Sequence, residues 1–189
     1  QLRTPLNNLE VYLDFLEGGH LTQEEQARYL GTVRASEQKI RLLTENFLKM
    51  SRLENRMIRA SREEWDLLAT MEAAVELLSP EMKEKQIVLK TSFPKKLHFP
   101  HDADLLGEAV RDVLDNAVKY SSAGGKIELG ARQSEMFTQI WVRDYGIGIQ
   151  EGDEAKVFRR FYRAENAKEQ EGFGIGLTIA REIVLQHDG

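Results

Sequence analysis

The sequence of 189 residues contains no cysteine, so the chain can form no disulfide, thiolate metal site or cysteine nucleophile. It has no run of about 18 apolar residues and no signal-peptide pattern, which excludes a membrane-spanning helix within this segment. The formal net charge of −5 argues against nucleic-acid binding, which needs clustered lysine and arginine. What remains is a globular chain whose 41% hydrophobic content suffices for one large domain or two small ones.

The first 55 residues have the apolar spacing of two helices joined by a turn at Gly18-Gly19-His20. The heptad positions are Leu2, Leu6, Leu9, Leu13 and Leu16, then Val33, Ile40, Leu43, Phe47 and Met50. Thr22, with Glu24 and Glu25 after it, is a favourable N-cap for a second helix that runs to about Asn55. So short a hairpin cannot bury both apolar faces, so we expect it to form a four-helix bundle with a second copy; packing against the rest of the chain is the alternative.

From Ser61 the heptad pattern stops, which predicts one domain over residues 1–60 and another over residues 61–189. The second domain alternates helices with strands. The predicted elements are a helix from Trp65 to Glu84, a strand from Gln86 to Phe93, a loop from Pro94 to Asp102, a helix from Asp104 to Tyr120, and two neighbouring strands around Ile127–Ala131 and Ile140–Val142.

Two glycine clusters stand near the C-terminus, Asp144-Tyr145-Gly146-Ile147-Gly148-Ile149 and Gly172-Phe173-Gly174-Ile175-Gly176-Leu177. Alternating glycines leave backbone N–H groups uncovered, so such a loop can close around a phosphate or lie flat against a base. The first cluster carries a carboxylate suited to an exocyclic amine, and the second leads into a helix whose N-terminus favours an anion. Either cluster alone is typical of an ordinary turn; the pair predicts a nucleotide site.

Two other segments could contribute to this site. The helix before the first cluster places Glu108, Asp112, Asn116 and Lys119 on one face, which is either solvated surface or a wall of the site. Residues 150–171 between the clusters are charged throughout and have little to pack, which predicts a mobile lid.

Five stretches in order resemble the sequence boxes of one family. They are Gln1-Leu-Arg-Thr-Pro-Leu6 for the tail of a phosphoacceptor box, Asp115-Asn-Ala-Val-Lys-Tyr-Ser121 for an asparagine box, Asp144-Tyr-Gly-Ile-Gly148 for a first glycine box, Val157-Phe-Arg-Arg-Phe-Tyr-Arg163 for a phenylalanine box, and Gly172-Phe-Gly-Ile-Gly-Leu177 for a second glycine box. The chain thus resembles the cytoplasmic catalytic core of a bacterial two-component sensor histidine kinase. The ATP-binding domain of that family belongs to the superfamily of gyrase, MutL and the heat-shock chaperone ATPases. Five boxes in family order are far more specific than any single motif.

The resemblance implies an α+β chain, with an antiparallel helical hairpin forming a dimeric four-helix bundle and a two-layer α/β sandwich that binds ATP and Mg²⁺. It implies phosphoryl transfer from ATP to a histidine just before Gln1, then to an aspartate of a response regulator that docks on the bundle. It also implies that the cytoplasmic portion is anchored to a membrane only through segments outside these residues.

The resemblance also implies a role for each matching residue. Asn116 would coordinate Mg²⁺, Lys119 would neutralise phosphate charge, and Tyr120 would lie against the adenine. Asp144 would accept a hydrogen bond from the adenine amine, and Arg163 would reach the phosphates from the lid. The glycine-box residues implied to bind the nucleotide are Gly146 and Gly148 beside the base, and Gly172, Gly174, Gly176 and Leu177 around the triphosphate.

Three departures from the family pattern affect the expected chemistry. The phosphorylated histidine would precede Gln1, since His20, His98, His101 and His187 all lie in other contexts. The acid that usually follows this histidine, proposed as the general base, is here Gln1, whose carboxamide cannot take a proton. Asp112 stands where an asparagine is common, which would add a metal ligand or weaken phosphate contact by repulsion. Thr4, in contrast, matches the position that orients water for dephosphorylating the partner.

Two alternative functions remain open at this stage. One is an ATP hydrolase or protein serine kinase of the same superfamily, and the other is a regulatory or phosphatase-biased nucleotide-binding dimer, which Gln1 favours. We also expect the intact protein to continue before Gln1 and to add two strands after Gly189.

Overall fold

The computed structural model describes residues 2–19, 21–55, 57–168, 170 and 172–189, and the chain divides into two compact units, Gln1–Arg52 and Leu53–Gly189. The predicted domain boundary after residue 60 stays a prediction. No helix in the described ranges is both long and apolar enough to cross a membrane.

The first unit is the helical hairpin that the heptad pattern predicts, made of α1 (Arg3–Glu17) and most of α2 (Gln23–Glu54). The second helix begins with a reciprocal cap. The Glu25 N–H donates to Thr22 Oγ1 at 3.3 Å, and the Thr22 N–H donates to Glu25 Oε2 at 2.9 Å. Near the turn, the rings of Tyr12 and Tyr29 lie 5.2 Å apart and join the two helices.

The apolar residues of α1, and Leu2 just before it, differ in exposure. Pro5 is buried and Leu9 is half-buried, whereas Leu2, Leu6 and Leu13 are 49%, 46% and 44% exposed. One hairpin therefore leaves a partly exposed apolar stripe along α1.

The second unit is an α/β domain. Its elements are β1 (Glu63–Asp66), α3 (Leu67–Glu84), β2 (Val88–Ser92), β3 (His98–His101), α4 (Ala103–Tyr120), β4 (Lys126–Gln133), β5 (Thr138–Asp144), a 3₁₀ turn (Glu165–Ala167) and α5 (Gly176–Gln186). In one sheet β4 lies between a parallel β2 and an antiparallel β5, and in the other β1 and β3 pair antiparallel.

Two predictions for this unit are wrong. The helix predicted from Trp65 begins at Leu67, because the Asp66 side chain accepts the Leu68 N–H at 3.1 Å and caps the helix there. The predicted loop from Pro94 to Asp102 contains strand β3, whose Phe99 pairs with Trp65.

One face of the larger sheet packs on the helices. Ile127, Leu129 and Ala131 of β4 are 0%, 0% and 3% exposed, and they belong to the same apolar clusters as Leu114 and Val110 of α4. Every second residue of β4 therefore packs against the apolar stripe of α4, and this packing fixes α4 against the sheet.

On the opposite face of β4, Gly130 lies under an aromatic ring. It pairs in register with Trp141 of β5, and a Cβ at position 130 would lie 2.1 Å from Trp141 Cζ2. Only glycine leaves the space that the indole occupies here.

We predict that Gly130→Ala lowers the free energy of unfolding by about 1–3 kcal/mol, because the new methyl group must displace the indole. Denaturant titration measures the loss, and the double variant Gly130→Ala/Trp141→Leu should recover part of it. The matched control is Gly107→Ala in α4, where the nearest atom to a new Cβ is 3.4 Å away. An unchanged midpoint for Gly130→Ala would contradict the packing.

Candidate nucleotide-binding site

Helix α4 carries the polar stripe predicted from the sequence. Its start is fixed by Asp102, whose side chain accepts the Leu105 N–H at 3.0 Å. Asn116 is half-buried, and its carboxamide makes no hydrogen bond to another described residue. Lys119 forms an ion pair with Asp115 one turn earlier. The stripe therefore presents an amide oxygen that has no partner in the described part of the chain, beside a half-buried cation.

Asp112 of this stripe has a side chain that is 15% exposed, and that of Glu108 is 14% exposed. Burial raises the pKa of Asp112 to about 6; the charges of Glu108 and Asp115 also raise it, whereas Arg111 opposes the rise. The Arg111 Nη2 atom lies 3.2 Å from Asp112 Oδ1.

The first glycine cluster packs directly against the end of α4. The Ile147 N–H donates to the Tyr120 carbonyl at 3.2 Å, and a Cβ at Gly146 would lie 2.2 Å from that carbonyl oxygen. Gly146 also donates its N–H to Asp144 Oδ1 at 3.0 Å. A side chain at position 146 would separate the two segments, so glycine is required for this close approach.

The surface around Asp144 is open. Asp144 ends β5 and is exposed, and next to it the ring of Tyr145 and the apolar side chains of Ile147 and Ile149 are 59%, 50% and 57% exposed. A carboxylate beside an uncovered apolar surface can accept a hydrogen bond from a flat, amine-bearing ring that covers that surface.

The second glycine cluster contacts the lid. The Phe161 N–H donates to the Gly174 carbonyl at 2.8 Å, and a Cβ at Gly174 would lie 2.4 Å from the Tyr162 carbonyl oxygen. Gly174 has a φ of +68° and Phe161 one of +61°, so both residues occupy the left-handed region at this contact. In addition, Thr178 Oγ1 donates to the Phe158 carbonyl at 3.1 Å.

The end of this cluster forms the start of α5 and lies beside α4. A Cβ at Gly176 would lie 3.6 Å from Asp112 Oδ2. Ile175 precedes α5, and its side chain accepts no hydrogen bond from the N–H groups of the first turn. The neighbouring Leu177 is half-buried, and Gly172 and Gly148 have φ values of +152° and +66°.

Arg163 binds carbonyl groups of the lid itself. Its Nη2 donates to the carbonyls of Ala167 and Gln170, while its buried Nε has no hydrogen-bond partner among the described residues. The expected contact with phosphates stays a prediction, and it would require the guanidinium to leave these carbonyls or to use its remaining donors.

The lid has an internal framework that the sequence did not predict. The Asp153 carbonyl accepts the Lys156 and Val157 N–H groups at 2.9 and 3.0 Å, and its side chain accepts from Lys156 Nζ at 2.9 Å. Hydrogen bonds from Lys156 and then from Tyr162 lower the pKa of the Asp153 carboxyl. An aspartate three residues before a lysine is a common pattern in sequences, so it could not predict these hydrogen bonds.

The donor set suits Mg²⁺ only if phosphates complete it. Among the described residues, no three histidine, aspartate or glutamate side chains lie close enough together to hold a metal ion. The carboxamide oxygen of Asn116 is a hard ligand of the kind that Mg²⁺ uses alongside phosphate oxygens.

Of the other candidate positions, Gln1 and His20 lie outside the described residues, and Thr4 is exposed on α1. A groove of about 640 Å³ runs along β5, but Asp144 is the only candidate residue that lines it. We therefore place the candidate site at the contacts between α4 and the two glycine clusters, not in this groove.

Two protein families match the chain, in this order. Residues 1–56 match the His Kinase A (phospho-acceptor) domain, and residues 101–189 match the histidine kinase-, DNA gyrase B- and HSP90-like ATPase. The second match supports ATP as the nucleotide, and the first implies that the hairpin dimerises.

Among curated relatives, the sensor protein kinase WalK of Staphylococcus aureus is 31% identical over 195 residues, which is all of this chain and 46% of that relative. For WalK of S. aureus strain JH9, the same identity covers 32% of the relative. The chain thus spans less than half the length of these relatives.

Solved structures of histidine kinases share the fold. AdeS of Acinetobacter baumannii matches with a TM-score of 0.74 at 22% identity, over 98% of this chain and 85% of its own. ShkA in complex with AMPPNP matches with a TM-score of 0.73 at 25% identity, over 97% of this chain and 38% of its own. ThkA in complex with the response regulator protein TrrA has a TM-score of 0.76 at 17% identity, over 96% and 51%. The chain therefore belongs to the sensor histidine kinase family of enzymes, of which it comprises the phospho-acceptor hairpin and the ATP-binding domain.

Proposed function

We propose that this chain binds Mg-ATP at α4, the two glycine clusters and the lid, and that it transfers the γ-phosphoryl group to a histidine immediately before Gln1. The supporting observation is that α4 touches both clusters, at Tyr120 beside Gly146 and at Asp112 beside Gly176. Asn116 and Lys119 lie between these two contacts along the helix.

Each candidate residue has a task that its surroundings suit. Asp144 accepts the adenine amine while the exposed apolar residues of the first cluster cover the ring face. The carboxamide of Asn116 would hold Mg²⁺, and the ion would supply positive charge to the phosphate groups of the nucleotide. Lys119 releases Asp115 or shares its charge with the phosphates, and the uncapped start of α5 presents N–H groups to them.

The transfer itself needs mainly positioning and charge neutralisation. A neutral imidazole nitrogen attacks the γ-phosphorus and forms a P–N bond, while the bond from that phosphorus to the bridging oxygen breaks. ADP departs with the electron pair, and the imidazolium gives its proton to a base. Because Gln1 cannot accept a proton, that base is another group or solvent, and the transfer is slower than with an acid at this position.

The partners follow from the hairpin. The partly exposed leucine stripe of α1 suits a second copy of the chain, which completes a four-helix bundle. ThkA, which shares the fold, was solved in complex with a response regulator protein, and we propose a receiver domain of that kind as the acceptor of the phosphoryl group. Such a domain would supply the aspartate to which the histidine passes its phosphoryl group.

One observation favours a second function. The carboxamide at Gln1 removes the expected base, whereas Thr4 keeps the side chain expected to orient water. A protein that binds ATP but acts mainly as a phosphatase of its regulator would have this combination.

We predict that Asp144→Ala weakens Mg-ATP binding by about tenfold or more and reduces the preference for ATP over GTP, because the adenine amine loses a charged acceptor. Calorimetric titration with both nucleotides measures this. The control is Asp104→Asn, an exposed acid in the first turn of α4. Equal affinities for ATP in Asp144→Ala and the parent chain would exclude Asp144 from the adenine contact.

We predict that Asp112→Asn stabilises the chain at pH 8 by about 1–3 kcal/mol. The pKa of Asp112 is raised from 3.8 to about 6 on folding, so its favourable contribution is complete below about pH 3.8 and is lost as the pH rises through about 6. Urea titrations should therefore give the variant a higher free energy of unfolding than the parent at pH 8. This difference should be smaller at pH 4. Asp104→Asn controls for the removal of one negative charge.

The same variant decides between the two roles considered for Asp112. Because its carboxylate lies beside Gly176 at the proposed phosphate-binding start of α5, we expect it to repel phosphate, so Asp112→Asn should bind Mg-ATP several-fold more tightly. Weaker binding by Asp112→Asn would identify Asp112 as a metal ligand instead.

The transfer step is tested with the encoded protein that includes the residue before Gln1 and γ-labelled Mg-ATP. We expect label that is lost in acid and kept in alkali, as for a phosphohistidine, with a rate that rises in Gln1→Glu. Acid-stable label would favour a serine kinase. Bound nucleotide without label, together with dephosphorylation of a regulator that depends on Thr4, would favour the phosphatase.

A further inference from the structure

The last turn of α4 carries two candidate nucleotide contacts, Lys119 and Tyr120, and its backbone carbonyls need donors from elsewhere. The last four carbonyls of any helix have no partner within the helix. In α4 these belong to residues 117–120.

Each of these four carbonyls has an identified donor. The Ser121 N–H binds the carbonyl of Ala117 at 3.1 Å, and the Ile147 N–H binds that of Tyr120 at 3.2 Å. The two between them both accept from the Nζ atom of Lys85, at 3.0 Å for Val118 and 2.8 Å for Lys119. Half of the set therefore depends on one side chain from outside the helix.

The ammonium group of Lys85 suits this position electrostatically. It has three N–H donors, and a third carbonyl, that of Ser121, lies 3.5 Å away. A cation at the C-terminal end of a helix also interacts favourably with the helix dipole. Since Lys85 is half-buried, solvent screens these contacts less than it would on an open surface.

The backbone of Lys85 is itself fixed, so the ammonium group projects from a rigid corner. Its N–H donates to the Glu81 carbonyl at 3.0 Å, and its carbonyl accepts the Gly124 N–H at 2.9 Å. The chain then reverses at Gln86, which has a φ of +56°. Lys85 thus connects the end of α3 with the end of α4.

We propose that Lys85 is a positioning residue of the nucleotide site. It holds the last turn of α4 and, through the bond between Tyr120 and Ile147, the first glycine cluster in the geometry that places Lys119, Tyr120 and Asp144 together. This inference rests on the proposed binding of Mg-ATP, and it assigns to Lys85 no contact with the nucleotide.

The test uses Lys85→Met, which keeps the length of the side chain and removes its charge and donors. The matched control is Lys83→Met, which changes an exposed lysine in the last turn of α3, two residues before Lys85. Lys85→Arg is the rescue variant, because its guanidinium restores the positive charge and donors for two carbonyls.

The first readout is amide hydrogen exchange in the nucleotide-free chain. We expect the Ile147 amide to exchange about tenfold faster in Lys85→Met, to stay unchanged in Lys83→Met, and to recover in part in Lys85→Arg. The second is the Kd for Mg-ATP, measured well below the melting temperature of each variant, which we expect to rise about tenfold in Lys85→Met alone.

The two readouts separate the possible failures. A lower melting temperature in Lys85→Met with unchanged Ile147 exchange and unchanged Kd means that Lys85 only stabilises the fold, which overturns the inference. If the parent chain fails to bind Mg-ATP, the proposed function fails, and the exchange of Ile147 still decides whether Lys85 orders the glycine cluster.

Discussion

The close approach between Gly146 and the Tyr120 carbonyl is the constraint on which the candidate site depends. It joins the end of a helix to the end of a strand, two elements that pack on opposite sides of the apolar core. The contact is made between backbones, and the Asp144 carboxylate adds to it by accepting the Gly146 N–H at 3.0 Å. The apolar core fixes the distance between the helix and the sheet. Because Gly146 has no side chain, the two backbones come close enough for the hydrogen bond between Ile147 and Tyr120.

Helix α4 couples packing to function through its two faces. Its apolar stripe, with Val110 and Leu114, is anchored in the core, so the rotation of the helix about its axis is set by hydrophobic burial. The polar stripe that includes Asn116 follows from that rotation. A core substitution that rotated the helix would therefore move Asn116, the proposed metal ligand, without a direct contact to it.

The long helices were predictable from the sequence. Heptad spacing and the Thr22 cap determine α2 almost to the residue, because burial and capping act locally. Strands β1 and β3 were not predictable, since each has four residues, neither alternates clearly, and β3 contains Pro100. Their pairing depends on Trp65 meeting Phe99, a contact between residues far apart in the chain.

The partners of charged side chains were the least predictable part of the site. Arg163 matched a family position, yet in the structure it binds carbonyl groups of its own lid. Lys85 lies outside all five family boxes and binds carbonyl groups of another helix. Both cases have the same cause. Every residue has a backbone carbonyl, so no pattern of side chains along the sequence reveals which carbonyl groups will accept.

The internal ties of the lid have a thermodynamic consequence. Hydrogen bonds to the Asp153 carbonyl and from the Arg163 side chain hold parts of its backbone without a ligand, so some of the conformational entropy of this segment is lost when the chain folds. Closure over a nucleotide would then start from a partly ordered segment. The heat-capacity change of binding should accordingly include a smaller contribution from coupled folding than a fully disordered lid would add.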